Sequence, residues 1–284
     1  MISCRLDCNL EFVIAGVTLN AHINGVNLAW DASGSGPAVC LIHGFPLDRR
    51  MWSSQAKALS VAGYRVITPD LRGFGESDAP DCAYSMDLFA DDLIALLDHL
   101  GVETSVVGGM SMGGYVLLNL LERYPERVSA ACFIVTRSGA DDEAGKERRL
   151  SLARDVMKSG PHPVAEIFGK VLFAERTEQE RPELVEDVRG WMMAGDSRGL
   201  AGGLLAMAGR KDYTPLLAGF RLPSLVIGAG QDKALTMEHL RILAEGLPDH
   251  KLCIIPDAGH LANLEQPTAF NSCLLDFLGG LSLD

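Results

Sequence analysis

The chain has no uninterrupted apolar run near the roughly 20 residues that a helix needs to span a bilayer, so no membrane partner is expected. It is also short of positive charge. Lys and Arg number 25 against 37 Asp and Glu, a formal net charge of −12. That balance argues against nucleic acid, whose phosphates need a basic face, and against anionic membrane surfaces. There is no C-x-x-C pair among the seven scattered cysteines, so neither a zinc site nor a redox motif is indicated, and no metal or cofactor is expected. Cys40, Cys132 and Cys253 fall inside apolar, strand-like runs, where a thiol acts as a small buried hydrophobe. The resulting expectation is a reduced, cytoplasmic protein. Residues 1–20 carry Arg5, Asp7 and Glu11 within their apolar stretch and lack a clean cleavage pattern, a poor match to a secretory leader. No internal repeat or low-complexity tract is found.

What is present is a core-forming chain of 284 residues, 48% hydrophobic, long enough for one large domain or a domain with an insertion. Ala21-His22-Ile23 and Val26–Trp30 flank Asn24-Gly25, the pattern of a hairpin with a two-residue turn. Ala38–Ile42 is a continuous apolar run, as in a strand covered on both faces. Beyond it, helical and strand-like patterns alternate. Helices are predicted near Met51–Ala62, over Met86–Leu100 and from the glycine-rich turn to Tyr124, with strands at Arg65–Thr68, Ser105–Gly109 and Ala130–Thr136. The Met86–Leu100 stripe is Leu88, Phe89, Leu93, Leu96 and Leu97. From residue 137 to 220 the alternation stops in favour of helical patterning, with 13 basic against 14 acidic residues. It resumes with Pro223–Ala229, a helix at Met237–Leu247, Lys251–Ile255 and a closing helix at Pro267–Leu278. The expected fold class is α/β: a mainly parallel central sheet with helices on both faces. Residues 1–18 read as an extension, 19–136 and 221–284 as the core, and 137–220 as an inserted helical cap.

Ligands of such a sheet bind beyond the carboxyl ends of its strands, and the chemically capable residues all fall there. Gly109-Met110-Ser111-Met112-Gly113 fits a nucleophile elbow, a strand-to-helix turn sharp enough to strain the serine and to need glycine beside it. Ser111 is a weak nucleophile without a base. His260 follows the last strand and suits proton transfer near neutral pH; His43, after an earlier strand, is its competitor and is read as a loop brace. Asp232 is the expected partner of the imidazole, in competition with Asp257, Asp141 and Asp142. Ser77 reads as a turn residue. The Met112 N–H, at a helix N-terminus, and the Phe45 N–H, in His43-Gly44-Phe45-Pro46, are candidate donors to an oxyanion. For the substrate pocket, Trp191, Met192 and Met193 either line an acyl pocket or join cap to sheet. Arg137 either meets a substrate carboxylate or pairs with Asp141.

With these residues in place, the chain resembles an α/β-hydrolase-fold serine hydrolase over residues 20–280. The motifs are His43–Pro46, Asp70–Ser77, Gly109–Gly113, Asp232 and Gly259-His260, in the order Ser, Asp, His typical of that fold. Met112–Tyr115, Thr136–Asp141 and Leu264–Pro267 resemble carboxylesterases and 3-oxoadipate enol-lactonase-like proteins. The resemblance implies hydrolysis of a small-molecule ester or lactone without a cofactor. Cofactor-free perhydrolase (haloperoxidase) side activity and a ligand-receptor role with slow hydrolysis are the alternatives. A serine at the elbow, where dehalogenases and epoxide hydrolases carry aspartate, argues against those two chemistries.

Overall fold

The computed structural model describes residues 19–283, so the extension expected over 1–18 lies outside the described residues. The strands are β1 (Leu19–Ile23), β2 (Val26–Ser33), β3 (Ala38–Ile42), β4 (Arg65–Pro69), β5 (Ser105–Met110), β6 (Val128–Ile134), β7 (Ser224–Ala229) and β8 (His250–Ile255). They form one sheet in the order β1-β2-β4-β3-β5-β6-β7-β8. The β1–β2 hairpin and the β2–β4 pair are antiparallel; every pairing from β4 through to β8 is parallel. Asn24 and Gly25 turn the hairpin with positive φ at both positions, as a two-residue turn between twisted strands requires.

The apolar runs are continuous because both sheet faces are covered. In β3, Cys40 and Ile42 belong to one buried cluster and Val39 and Leu41 to the other. The first cluster takes in α2 (Met86–His99), α3 (Met112–Arg123) and α9 (Met237–Gly246). The second takes in Leu59 of α1 (Ser53–Val61) and Phe270 and Leu274 of α11 (Pro267–Leu278). Helix α2 begins where Ser85 Oγ accepts the Leu88 N–H at 3.1 Å, and it buries Phe89, Leu93, Leu96 and Leu97. Leu88, the fifth residue of the predicted stripe, is half-buried.

Between β6 and β7 lie, among the described residues, no strand but five α-helices, α4 (Glu143–Ser159), α5 (His162–Gly169), α6 (Glu175–Glu180), α7 (Pro182–Met193) and α8 (Ser197–Ala208), and a 3-10 helix at Thr214–Gly219. Asp142 caps α4 through the Gly145 N–H at 2.7 Å, and Asp196 caps α8 through Arg198 and Gly199. A short helix unanticipated from the sequence, α10 (Ala262–Glu265), follows β8 after the 256–261 loop that carries His260.

One expectation is corrected here. Cys253 on β8 and Cys273 on α11 are joined in a disulfide, so the chain is not one of reduced cysteines throughout. Strand β8 runs out and α11 packs back beside it, which brings the two Cα atoms to 6.5 Å, within bridging range. Cys40 and Cys132 are buried thiols, and burial pushes Cys40 up to about 12. No helix of the described residues is long and apolar enough to cross a membrane.

Candidate active site

The β5–α3 junction holds Ser111 at φ 50°, ψ −109°, a left-handed conformation that is costly for a residue with a side chain and persists only where its surroundings enforce it. Those surroundings are visible. The Ser111 N–H donates to the Ile134 carbonyl at 2.9 Å, and the Thr136 hydroxyl donates to the Ser111 carbonyl at 2.8 Å. Strand and helix approach so closely that a Cβ on Gly109 would lie 2.3 Å from the Gly113 carbonyl oxygen. One on Gly113 would lie 2.5 Å from that of Ile42. Glycine is required at both positions by contact with rigid backbone. Thr136 is a residue that sequence reading missed; it sits two residues beyond β6, with nothing local to reveal that it clamps the elbow.

Asp232 and His260 emerge from the ends of β7 and β8. His260 Nδ1 is 2.9 Å from Asp232 Oδ2, and both side chains are almost fully buried. Asp232 Oδ1 accepts the Ala234 and Leu235 N–H groups at 2.7 and 3.0 Å, which fixes the carboxylate. With the imidazole proton on Nδ1, where the carboxylate receives it, Nε2 is left as the basic nitrogen. His260 and Ser111 line one cavity of about 560 Å³. Among the described residues the Ser111 hydroxyl makes no hydrogen bond to a protein group, His260 Nε2 included.

The competing residues are engaged elsewhere. His43 Nε2 accepts the Leu71 N–H at 3.0 Å, and its Nδ1 lies 3.2 Å from the Gly44 carbonyl. Complete burial lowers its pKa, so it is a neutral brace between two loops. Asp142 caps α4, and Asp141 is bound by arginines. Ser77 bridges the Asp70 carbonyl and the Ala29 N–H, a turn role. The His43–Pro46 loop packs on the elbow, since a Cβ at Gly44 would sit 3.2 Å from the Met110 carbonyl and 3.4 Å from Ser111 Cβ. Among the described residues neither the Phe45 nor the Met112 N–H donates to a protein acceptor, and Met112 opens α3. Both amides are thus available to an anion.

The pocket residues depart from expectation. Trp191 does not line the cavity: it packs half-buried between α7 and the core, with the Arg50 guanidinium 5.2 Å from its ring centre. Met192 is buried and Met193 exposed, away from the cavity. Instead the apolar wall is Leu152, Ile167, Phe168, Leu172, Leu204 and Met207. Arg137 does line the cavity, but its guanidinium is bonded to Asp141 and touches His239 Nε2 at 3.3 Å. Burial alone would raise the Asp141 carboxyl. Hydrogen bonds from Arg210 and Arg149, with their charges, outweigh that and hold it well below the usual carboxylate range.

Known proteins share this fold. The chain is 31% identical over 254 residues to 3-oxoadipate enol-lactonase 2 of Acinetobacter baylyi, covering 89% of this chain and 93% of the relative. A malate-bound thermophilic esterase from Thermogutta terrifontis superposes with a TM-score of 0.89 at 36% identity, covering 93% of this chain and 98% of that one. The enol-lactonase from Burkholderia xenovorans LB400 gives 0.86 at 28% identity, over 92% of this chain and 100% of its own. A family model for the alpha/beta hydrolase fold matches residues 37–267. With a parallel sheet whose strand ends carry the elbow serine, the aspartate and the histidine, the chain belongs to the alpha/beta hydrolase fold family.

Proposed function

We propose that the protein is a serine hydrolase that cleaves carboxylic esters through an acyl-enzyme on Ser111. The observation that carries the reading is the Asp232–His260 hydrogen bond opening onto the cavity that Ser111 also lines. Ser111 Oγ attacks the ester carbonyl carbon while its proton passes to His260 Nε2. Asp232 holds the tautomer and stabilises the imidazolium that forms. The Phe45 and Met112 N–H groups receive the oxyanion of the tetrahedral intermediate, a role in which the loss of one donor typically costs on the order of 10²–10³ in rate. Collapse breaks the carbonyl carbon–alkoxy bond, and His260 returns the proton to the departing alcohol. Water then attacks the acyl-enzyme, giving its proton to His260, and the carboxylic acid leaves as the Ser111 hydroxyl is restored.

In this reading residues 137–220 form a cap that selects the acyl group by the apolar wall described above. A second reading, enol-lactone hydrolysis, is favoured by the similarity to the Acinetobacter relative and uses the same steps with the leaving oxygen tethered. A fluorophosphonate probe read by mass at Ser111, followed by turnover on a panel of short esters and lactones, tests both. Labelling with turnover supports catalysis, and the better substrate class decides between the readings. Labelling without turnover favours a receptor. Failure of the probe to label Ser111 would sink the assignment.

A further inference from the structure

Strand β6 ends at Ile134, and the residue after it is strained. Val135 has φ 43°, in the left-handed region that a β-branched residue adopts only where its surroundings hold it. Its N–H donates to the Ile227 carbonyl at 2.8 Å and its side chain is buried, which fixes the turn. The turn places Thr136. That side chain is 1% exposed and fills a notch in the first turn of α3, where a Cβ on Gly114 would lie 2.4 Å from Thr136 Oγ1 and 2.5 Å from its Cγ2. A strained valine and a glycine inside a helix are each unfavourable locally. Together they seat one hydroxyl 2.8 Å from the Ser111 carbonyl.

The Ser111 carbonyl is half of the peptide unit whose other half is the Met112 N–H. Such a unit is planar and trans, so its C=O and N–H point in opposite directions, and whatever fixes one aims the other. The Ser111 carbonyl accepts two hydrogen bonds, from the Gly114 N–H at 3.0 Å and from Thr136 Oγ1. With both lone pairs engaged the plane is held against rocking. A donor on the carbonyl oxygen also draws electron density from the amide nitrogen and makes its N–H a stronger donor, as in any chain of hydrogen bonds. The Met112 N–H itself meets no protein acceptor among the described residues.

We propose that Thr136 is a positioning residue for the oxyanion donor: through the Ser111–Met112 peptide, its hydroxyl aims and strengthens the Met112 N–H toward the tetrahedral intermediate. The inference rests on the Ser111 hydrolase reading. Thr136 does not line the cavity that Ser111 opens onto, so its effect reaches the substrate only through the backbone.

The test is Thr136→Val, which keeps the branched shape that fills the Gly114 notch and deletes the hydroxyl. Beside it stands Thr136→Ser, which keeps the hydroxyl and deletes the methyl. With p-nitrophenyl butyrate as substrate, kcat of T136V should fall by about tenfold, less than for a whole oxyanion donor because the Gly114 bond remains. Acylation and deacylation both pass through an oxyanion, so both slow and KM stays near the wild-type value. T136S should turn over at close to the wild-type rate.

A merely structural role would not move the affinity for pentyl trifluoromethyl ketone. Its carbonyl carbon bonds reversibly to Ser111 Oγ, the serine proton passes to His260, and the former carbonyl oxygen becomes the oxyanion. The inhibition constant should rise in T136V by the same factor by which kcat/KM falls. Urea midpoints are measured beside the kinetics. If T136V does not fold, Thr136→Ala removes the same hydroxyl without a new atom in the notch and carries the same comparison. A folded hydroxyl-free variant with wild-type kcat overturns the proposal and leaves ester hydrolysis standing. So does a fall in kcat with an unchanged ketone inhibition constant, or one that T136S shares in full. Wild-type protein that neither turns over the ester nor is labelled at Ser111 by the fluorophosphonate probe overturns the hydrolase reading, and this inference with it.

Discussion

A single oxygen carries the proposed chemistry, and the sharpest expectations are at that scale. Ser111→Ala removes the nucleophile without disturbing the backbone bonds that hold the elbow, so turnover on a short ester should fall by on the order of 10⁵ with an unchanged urea midpoint. Asp232→Asn keeps the size of the side chain but offers an amide where Nδ1–H needs an acceptor. The other tautomer is then favoured, the proton moves to Nε2, and the base is lost; kcat should fall by about 10⁴. Steady-state kinetics beside equilibrium unfolding check both variants, and a triad role is rejected if activity falls only in proportion to stability. Much of this was readable from the chain because reactive residues lie within a few positions of strand ends, where neighbours in sequence dictate neighbours in space. Trp191 shows where such reading stops. It sits on α7, and composition does not say whether its face meets the cavity or the core; here it covers the core beside Arg50. Arg149 and Arg210 escaped notice for a related reason. They lie 8 and 69 residues from Asp141, and only the packing of α4 and α8 brings them to it.

At the scale of elements, two junctions govern the site. The elbow depends on backbone proximity, so Gly113→Ala sets a Cβ against the Ile42 and His43 carbonyls, neither of which can rotate away. Destabilisation of about 3 kcal/mol is expected, read as a lowered urea midpoint, and a midpoint equal to wild type would mean that the sheet relaxes freely there. The second junction joins the segment between β6 and β7 to the loop bearing His260. The Leu261 N–H donates to the Leu172 carbonyl at 3.1 Å, and buried Glu265 Oε2 accepts the Ala174 N–H and the Thr177 hydroxyl at 2.9 and 2.6 Å. The residues that follow His260 are thus tied to the segment between β6 and β7. Glu265→Ala leaves two donors unanswered, at a cost of about 2 kcal/mol; kcat should fall with KM little changed as the imidazole loses its fixed position. A loss of stability with kcat intact would make Glu265 purely structural. None of this junction is legible in sequence, since its partners are about 90 residues apart and α10, which carries Glu265, is too short to leave a periodic trace. The disulfide was hidden likewise: 20 residues separate Cys253 from Cys273, and only the return of α11 across β8 unites them.

For the whole molecule, alternation of strand and helix proved sufficient to read the sheet, because burial on both faces forces continuous apolar runs that helices cannot imitate at that length. Charge distribution was harder to read. The near balance of charge over residues 137–220 conceals a cluster of three arginines on one carboxylate, Asp141, since the acids of that segment sit mostly at exposed positions. That cluster makes the acid stability of the fold depend on Asp141. Its carboxyl is held below the ordinary value of 3.8 in the folded chain, so the unfolded chain binds the proton more tightly and acid favours unfolding. The stabilisation is complete above that value and is lost as pH falls below it. Asp141→Asn leaves three guanidiniums without their shared anion, and destabilisation on the order of 3 kcal/mol is expected at neutral pH. Urea unfolding of wild type and D141N from neutral pH down to about 3 should give two curves that run parallel at first and begin to converge only in acid. Salt should narrow the neutral-pH gap by screening repulsion among the arginines. Curves that stay parallel throughout would mean that Asp141 titrates alike in both states, and that the three arginines are held by packing without need of an anion among them.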